Sequence, residues 1–165
     1  MTPVRRAAAT LAATALLAGT VSACGGEKAS EKASEQASEQ KAEEGFSAAA
    51  DLSTCRDGAR PTDTPYGDAF PRDWPFPAKT VVFNSEDRGA DGTIVTAISS
   101  TPFEQILAFM NHDVVRGGFK IEKGETEEHD AEAEWEGNGY RGRWAIRESA
   151  QCPGETVIQV HSTDE

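Results

Sequence analysis

Between Phe119 and Arg147 the chain alternates apolar and charged residues at a period of two, and the pattern is punctuated by Asn138-Gly139. Phe119 and Ile121 alternate with Lys120 and Glu122. Ala131, Ala133 and Trp135 alternate with Glu132, Glu134 and Glu136, and Tyr140, Gly142, Trp144 and Ile146 with Arg141, Arg143 and Arg147. A period of two puts successive side chains on opposite faces of a strand, so these segments read as half-buried antiparallel strands. Asn-Gly suits a two-residue hairpin turn, because both turn positions need a positive φ. With that turn, Glu136 faces Arg141, Glu134 faces Arg143 and Asp130 faces Arg147. On the other face Trp135 covers Gly142, and Ala133 leaves room for Trp144. A three-residue loop would set Trp135 against Arg141 and mix the faces, so the two-residue register is the predicted one.

Upstream, Thr80-Val81-Val82-Phe83 and Thr93-Ile94-Val95-Thr96-Ala97-Ile98 are rich in β-branched residues and flank a gap holding Gly89 and Asp91-Gly92. They predict a hairpin with a long turn. A helix follows: Phe103, Ile106, Leu107, Met110 and Val114 recur at helical spacing, and His112 falls on the polar side. Thr101 is expected to cap it, with Pro102 at the first helical position and Glu104 completing a capping box. Gly117-Gly118 supplies the left-handed stop, after which Phe119 can fold back on the helix. A last strand is expected from Thr156 to His161. The fold class is therefore α+β, an antiparallel sheet of five to six strands with one helix on one face, in the order ββαββββ.

From Pro61 to Pro77 prolines alternate with aromatics, as in Phe70-Pro71 and Trp74-Pro75-Phe76-Pro77. Proline donates no amide hydrogen, so this stretch is excluded from a central strand or a helix interior and is expected as extended coil. Its rings either plug the edge of the core or form an exposed patch. In the second case Tyr66, Phe70, Trp74 and Phe76 are the candidate partner-binding residues, since rigid rings bind at low entropic cost.

The N-terminal region reads differently. Arg5 and Arg6 precede an Ala-, Leu- and Thr-rich run from Ala7 to Gly19 that is shorter than a membrane span and has the layout of a signal peptide. It ends in Val21-Ser22-Ala23-Cys24. That stretch resembles the lipobox of bacterial lipoproteins at all four positions. The resemblance implies that residues 1–23 are removed and that Cys24 becomes a lipidated N-terminus on the extracytoplasmic face of the cell membrane, where two acyl chains give stable attachment. Residues 24–50 repeat Glu-Lys-Ala-Ser and Glu-Gln-Ala-Ser. A helix would stack their glutamates at i,i+4 with no apolar stripe to bury, so they are expected to be a solvated tether. Residues 51–165 form a single domain. With Cys24 assigned to lipid, Cys55 and Cys152 remain, and in an exported protein an even remainder reads as a disulfide. The lipobox, the charged tether, the Phe-Pro-x-Asp-Trp-Pro-Phe-Pro run at 70–77, the helix ending in Gly-Gly-Phe and the Gly-Asn-Gly-Tyr hairpin together resemble small lipoproteins of high-GC Gram-positive bacteria.

Formal charge is −12 at neutral pH, and loss of Arg5 and Arg6 makes it more negative. Nucleic acid and anionic lipid headgroups are disfavoured, since both need a basic surface. Carboxylates abound between Glu122 and Glu136, yet alternation assigns most to a solvated strand face. No His-Glu-x-x-His, nucleophile elbow, phosphate loop, Cys-x-x-Cys or calcium loop occurs. The expectation is a monomeric, non-enzymatic binding or interaction module without cofactor or metal. Its partners would be the membrane, through its anchor, and an envelope protein or cell-wall glycan. An inhibitor or shielding protein is the alternative, and an accessory ligand-binding lipoprotein of a transporter is a further one.

Overall fold

The computed structural model describes residues 54–63 and 66–165. The expected signal peptide, Cys24 and the tether lie outside the described residues. Six strands form one antiparallel sheet: β1 (Thr80–Asp87), β2 (Thr93–Ser99), β3 (Lys120–Thr126), β4 (Asp130–Gly137), β5 (Tyr140–Glu148) and β6 (Thr156–Asp164). The helix α1 (Phe103–Arg116) lies between β2 and β3 in the chain. Spatial order is β1-β2-β6-β5-β4-β3. The helix thus carries the chain from the β1–β2 hairpin to the far edge, from which β3, β4 and β5 return strand by strand until β6 closes against β2. The α+β architecture with one helix on a sheet is the one predicted.

The β4–β5 register is the predicted one. Glu136 pairs with Arg141, Trp135 with Gly142, Glu134 with Arg143, Ala133 with Trp144 and Asp130 with Arg147. Asn138 and Gly139 both have positive φ, 55° and 83°, as a primed two-residue turn demands. Alternation then does the sorting. Trp135 and Trp144 go inward with Val95, Ala97, Ile146, Ile158 and Val160, where Phe103, Ile106, Met110 and Val114 of α1 cover them.

The helix ends as predicted and begins differently. Gly118 is left-handed at φ 95°, the Gly118 amide donates to Val115 O (3.1 Å) and the Phe119 amide to Val114 O (3.4 Å). This is a Schellman closure, and Phe119 joins the core. At the other end Thr101 makes no capping box. Its hydroxyl donates instead to Ala78 O (3.5 Å), its amide donates to Ser99 Oγ (3.3 Å), and Pro102 occupies the cap position without a side-chain bond. The carbonyl at the end of the proline-rich segment has taken the hydroxyl that sequence assigned to the helix. Glu104 still sits in the first turn, where its charge complements the helix dipole.

Both edge strands carry a break in register, between Val82 and Asn84 in β1 and between Ile121 and Gly124 in β3. Bulges at sheet edges disturb the row of free backbone groups that would otherwise template a further strand, and Lys120, Glu122, Lys123 and Glu125 add charge on β3. Among the described residues no helix is long and apolar enough to cross a membrane.

Candidate functional site

The sheet has two different ends. At one, a disulfide joins Cys55 to Cys152 in the β5–β6 loop, with a Cα–Cα distance of 5.6 Å. Arg56 reinforces it: its amide donates to Glu155 Oε2 (2.7 Å) and its Nε to Lys79 O (2.9 Å). The turn Cys55–Ala59 buries Ala59 against Ile98 and Val157, beside Val81 and Phe83, on the sheet face away from the helix. The predicted cysteine pair therefore clamps the start of the described chain to the end of the sheet formed by Thr80, Ser99, Glu148 and Thr156. Glu155 lies with the two sulfurs in a group compact enough to hold a cation, but oxidised sulfurs offer no thiolate.

From Tyr66 to Ala78 the proline-rich segment crosses the helix side of the sheet. Its rings make a chain: Tyr66 to Phe70 at 5.0 Å, Phe70 to Trp74 at 6.4 Å, Trp74 to Trp135 at 4.5 Å and Trp74 to Phe119 at 4.8 Å. Phe70 and Trp74 are 1% and 5% exposed. Those two candidate partner-binding residues are therefore core residues: the helix covers only part of the inner face, and these rings fill the remainder. Tyr66 and Phe76 are half-buried at its margin and remain at the surface. Partial burial holds the Tyr66 phenol above its ordinary range by desolvating the phenolate. Asn138 pins the segment across the hairpin, donating from Nδ2 to Asp73 Oδ2 (3.0 Å) and to Gly117 O (3.4 Å).

The open face carries the charged partners of the alternating strands. Arg143 is ion-paired with Glu132, diagonal to it, rather than with Glu134 directly opposite, and both side chains are about a quarter exposed. Arg147 pairs with Asp130 at 3.8 Å. At the β3 edge Lys120 is bonded to Glu122 and, at 3.2 Å, to Glu136. These bonds raise the Lys120 pKa and, from the other side, lower that of Glu122. His112 is exposed on α1, and His129 Nδ1 lies 2.9 Å from Glu148 Oε2. These carboxylates belong to paired, solvated strand surfaces.

The end opposite the disulfide holds a feature that sequence reading missed. Asp87, Thr93, Ser162, Gly142 and Trp135 follow one another across five strands in register. Thr93 and Ser162 are 0% exposed, Ser85 is 8% exposed, and the hydroxyls of all three have no hydrogen-bond partner among the described residues. The Trp135 indole N–H is unpartnered too, and its ring lies over Gly142, where a Cβ would stand 3.0 Å from Cζ2. The backbone at Gly67 covers this row. A methyl built there would stand 2.5 Å from Thr93 Oγ1 and 3.2 Å from Asp87 Oδ2. Tyr140 completes the rim, donating from its hydroxyl to Asp68 O (3.3 Å). The signal available in sequence was a threonine and a serine at inward positions of otherwise apolar strands. Nothing local distinguishes them from surface hydroxyls.

Compared with known protein families, curated proteins and solved structures, the chain matches none. The fold and this geometry are what bear on its function.

Proposed function

We propose that this chain is a lipid-anchored protein of the cell envelope, held through Cys24 on the extracytoplasmic face of the membrane, and that it acts as a non-enzymatic binding module. The observation that carries the reading is the Cys55–Cys152 clamp. A disulfide fits an oxidising, exported setting. It also ties the beginning of the described chain to one end of the sheet, leaving Asp68, the Arg88–Gly92 turn, Tyr140 and Asp164 at the other, unclamped end. The charged tether then works as a spacer between anchor and domain.

The test is fractionation followed by crosslinking. Wild-type protein should sediment with membranes, and the Cys24→Ala variant should not. With a photo-crosslinking residue at Arg88 or Asp164 an envelope component should be captured, whereas one at Asp57, beside the clamp, should capture little. Membrane retention of Cys24→Ala would end the anchor reading, and capture from Asp57 alone would move the binding surface to the disulfide end.

A further inference from the structure

We propose that the row Thr93–Ser162–Trp135, with Ser85 beside it and Tyr66, Asp68, Asp87 and Tyr140 at its rim, is a subsite for a neutral, hydroxyl-rich saccharide. The inference rests on the binding-module reading and names the chemical class of its ligand. Its starting point is energetic. A buried hydroxyl or indole N–H without a partner is costly, because it has given up water and received nothing. Of the buried groups without a partner among the described residues, Thr93 Oγ1, Ser162 Oγ and Trp135 Nε1 lie along this row and Ser85 Oγ sits two residues from its Asp87 end, while Trp74 Nε1, Trp144 Nε1 and Thr80 Oγ1 lie outside it. Thr93 and Ser162 are direct cross-strand partners, and Ser162 adjoins Gly142, over which the tryptophan lies. Replacing the hydroxyls by methyl groups would suit an apolar core better, so a polar ligand is the economical reason for them.

The donor set selects the ligand. An indole N–H only donates, and hydroxyls donate or accept, so the occupant must bring acceptors. An ammonium or guanidinium brings none and would leave Trp135 Nε1 unpaired. An anion would bring acceptors but would meet the Asp87 carboxylate at the rim. A sugar satisfies both conditions, since its hydroxyls accept from the floor and donate to the Asp87 carboxylate. The half-buried Tyr66 ring, paired with Phe70 at 5.0 Å, offers an apolar face for its C–H surface. Gly67 suits the covering position, since any larger residue would press on the Thr93 hydroxyl. Binding requires the Tyr66–Asp68 backbone to lift from the floor, which gives up the 3.3 Å bond from the Tyr140 hydroxyl to Asp68 O and displaces the Gly67 carbonyl that accepts from the Phe70 amide (3.1 Å).

The test uses the full-length protein solubilised in detergent, with the neutral oligosaccharides chitotriose and maltotriose as probes and an oligolysine peptide as the cationic control. Wild type should bind at least one saccharide probe. A Thr93→Val/Ser162→Ala double variant should lose binding at least tenfold while melting at the same temperature or higher, because it removes only unpartnered hydroxyls. Tyr66→Ala, which strips the rim and leaves the floor, should lose binding as well. The inference is overturned if wild type binds no saccharide, if only oligolysine binds, or if the double variant binds as wild type does. It is equally overturned if the double variant melts lower, since the hydroxyls would then be satisfied by internal water and serve structure. If saccharide binding fails while crosslinks from Arg88 or Asp164 persist, this subsite falls and the tethered-module reading stands.

Discussion

The two faces of the sheet are made by the same strands and are stabilised in different ways. On the inner face Trp135, Trp144, Ile146, Ile158 and Val160 meet α1 and the Phe70–Trp74 segment, and almost nothing there is exposed. On the outer face, among the described residues, the Cys55–Ala59 turn covers the corner at Ile98 and Val157, and much of the rest carries ion pairs such as Arg143–Glu132 and Arg147–Asp130. Alternation delivers side chains to both faces equally. What covers a face decides whether they count as core, and the contribution of each residue should follow that division.

The largest effect should come from the one covalent cover. Cys55 and Cys152 are 97 residues apart, and a loop of roughly that length is worth about 4.7 kcal/mol in the chain-entropy account. Denaturant unfolding of reduced against oxidised protein should show a loss of that order, and an unchanged midpoint would mean that the outer corner holds by packing alone. On the inner face Trp144→Ala should cost about 3–5 kcal/mol, and Trp74→Ala a similar amount, because each empties a filled aromatic site. Should Trp74→Ala leave the melting temperature untouched, the proline-rich segment is a detachable cover and the inner face is less closed than its burial indicates.

Arg143→Glu probes the outer face. It breaks a pair that is neither fully solvated nor fully buried and sets a second carboxylate beside Glu132, so a loss of about 1–3 kcal/mol is expected, between the surface and buried cases. A cost as large as that of Trp144→Ala would show that something covers this face too. The smallest effect belongs to the fully solvated edge. Lys120 raises its own pKa and lowers that of Glu122 by pairing, so the pair's stabilisation is present above the unfolded carboxylate pKa and fades as pH falls through the lowered folded value. At the alkaline limit it is present below the unfolded lysine pKa and is lost as pH rises through the raised one. Glu122→Gln should therefore leave the melting temperature at neutral pH within error, and a clear drop would mean that β3 is less solvated than it looks.

How much of this was legible without coordinates varied with how local the deciding contact is. The β4–β5 register was readable because Asn138-Gly139 and its flanking charges lie within a few residues of one another, and a slip by one position would have put both tryptophans in water. The helix stop at Gly118 was readable for the same reason. The capping box was misread because the competitor, Ala78 O, lies outside the helix sequence, and Arg143 takes Glu132 rather than Glu134 because sheet twist favours a diagonal reach that register alone does not reveal.

By itself the amino-acid sequence determined the elements: six alternating or β-branched strands, one amphipathic helix with a glycine stop, and two cysteines able to pair. Periodicity and turn chemistry are properties of neighbouring residues and survive being read in isolation. Only the tertiary structure decided which rings of the 66–77 segment are buried, which sheet corner the disulfide covers, and that Thr93, Ser162 and Trp135 come to lie in one row. Those outcomes depend on residues tens of positions apart being brought to the same few ångströms, and no local pattern encodes which of two equally regular faces the rest of the chain will cover.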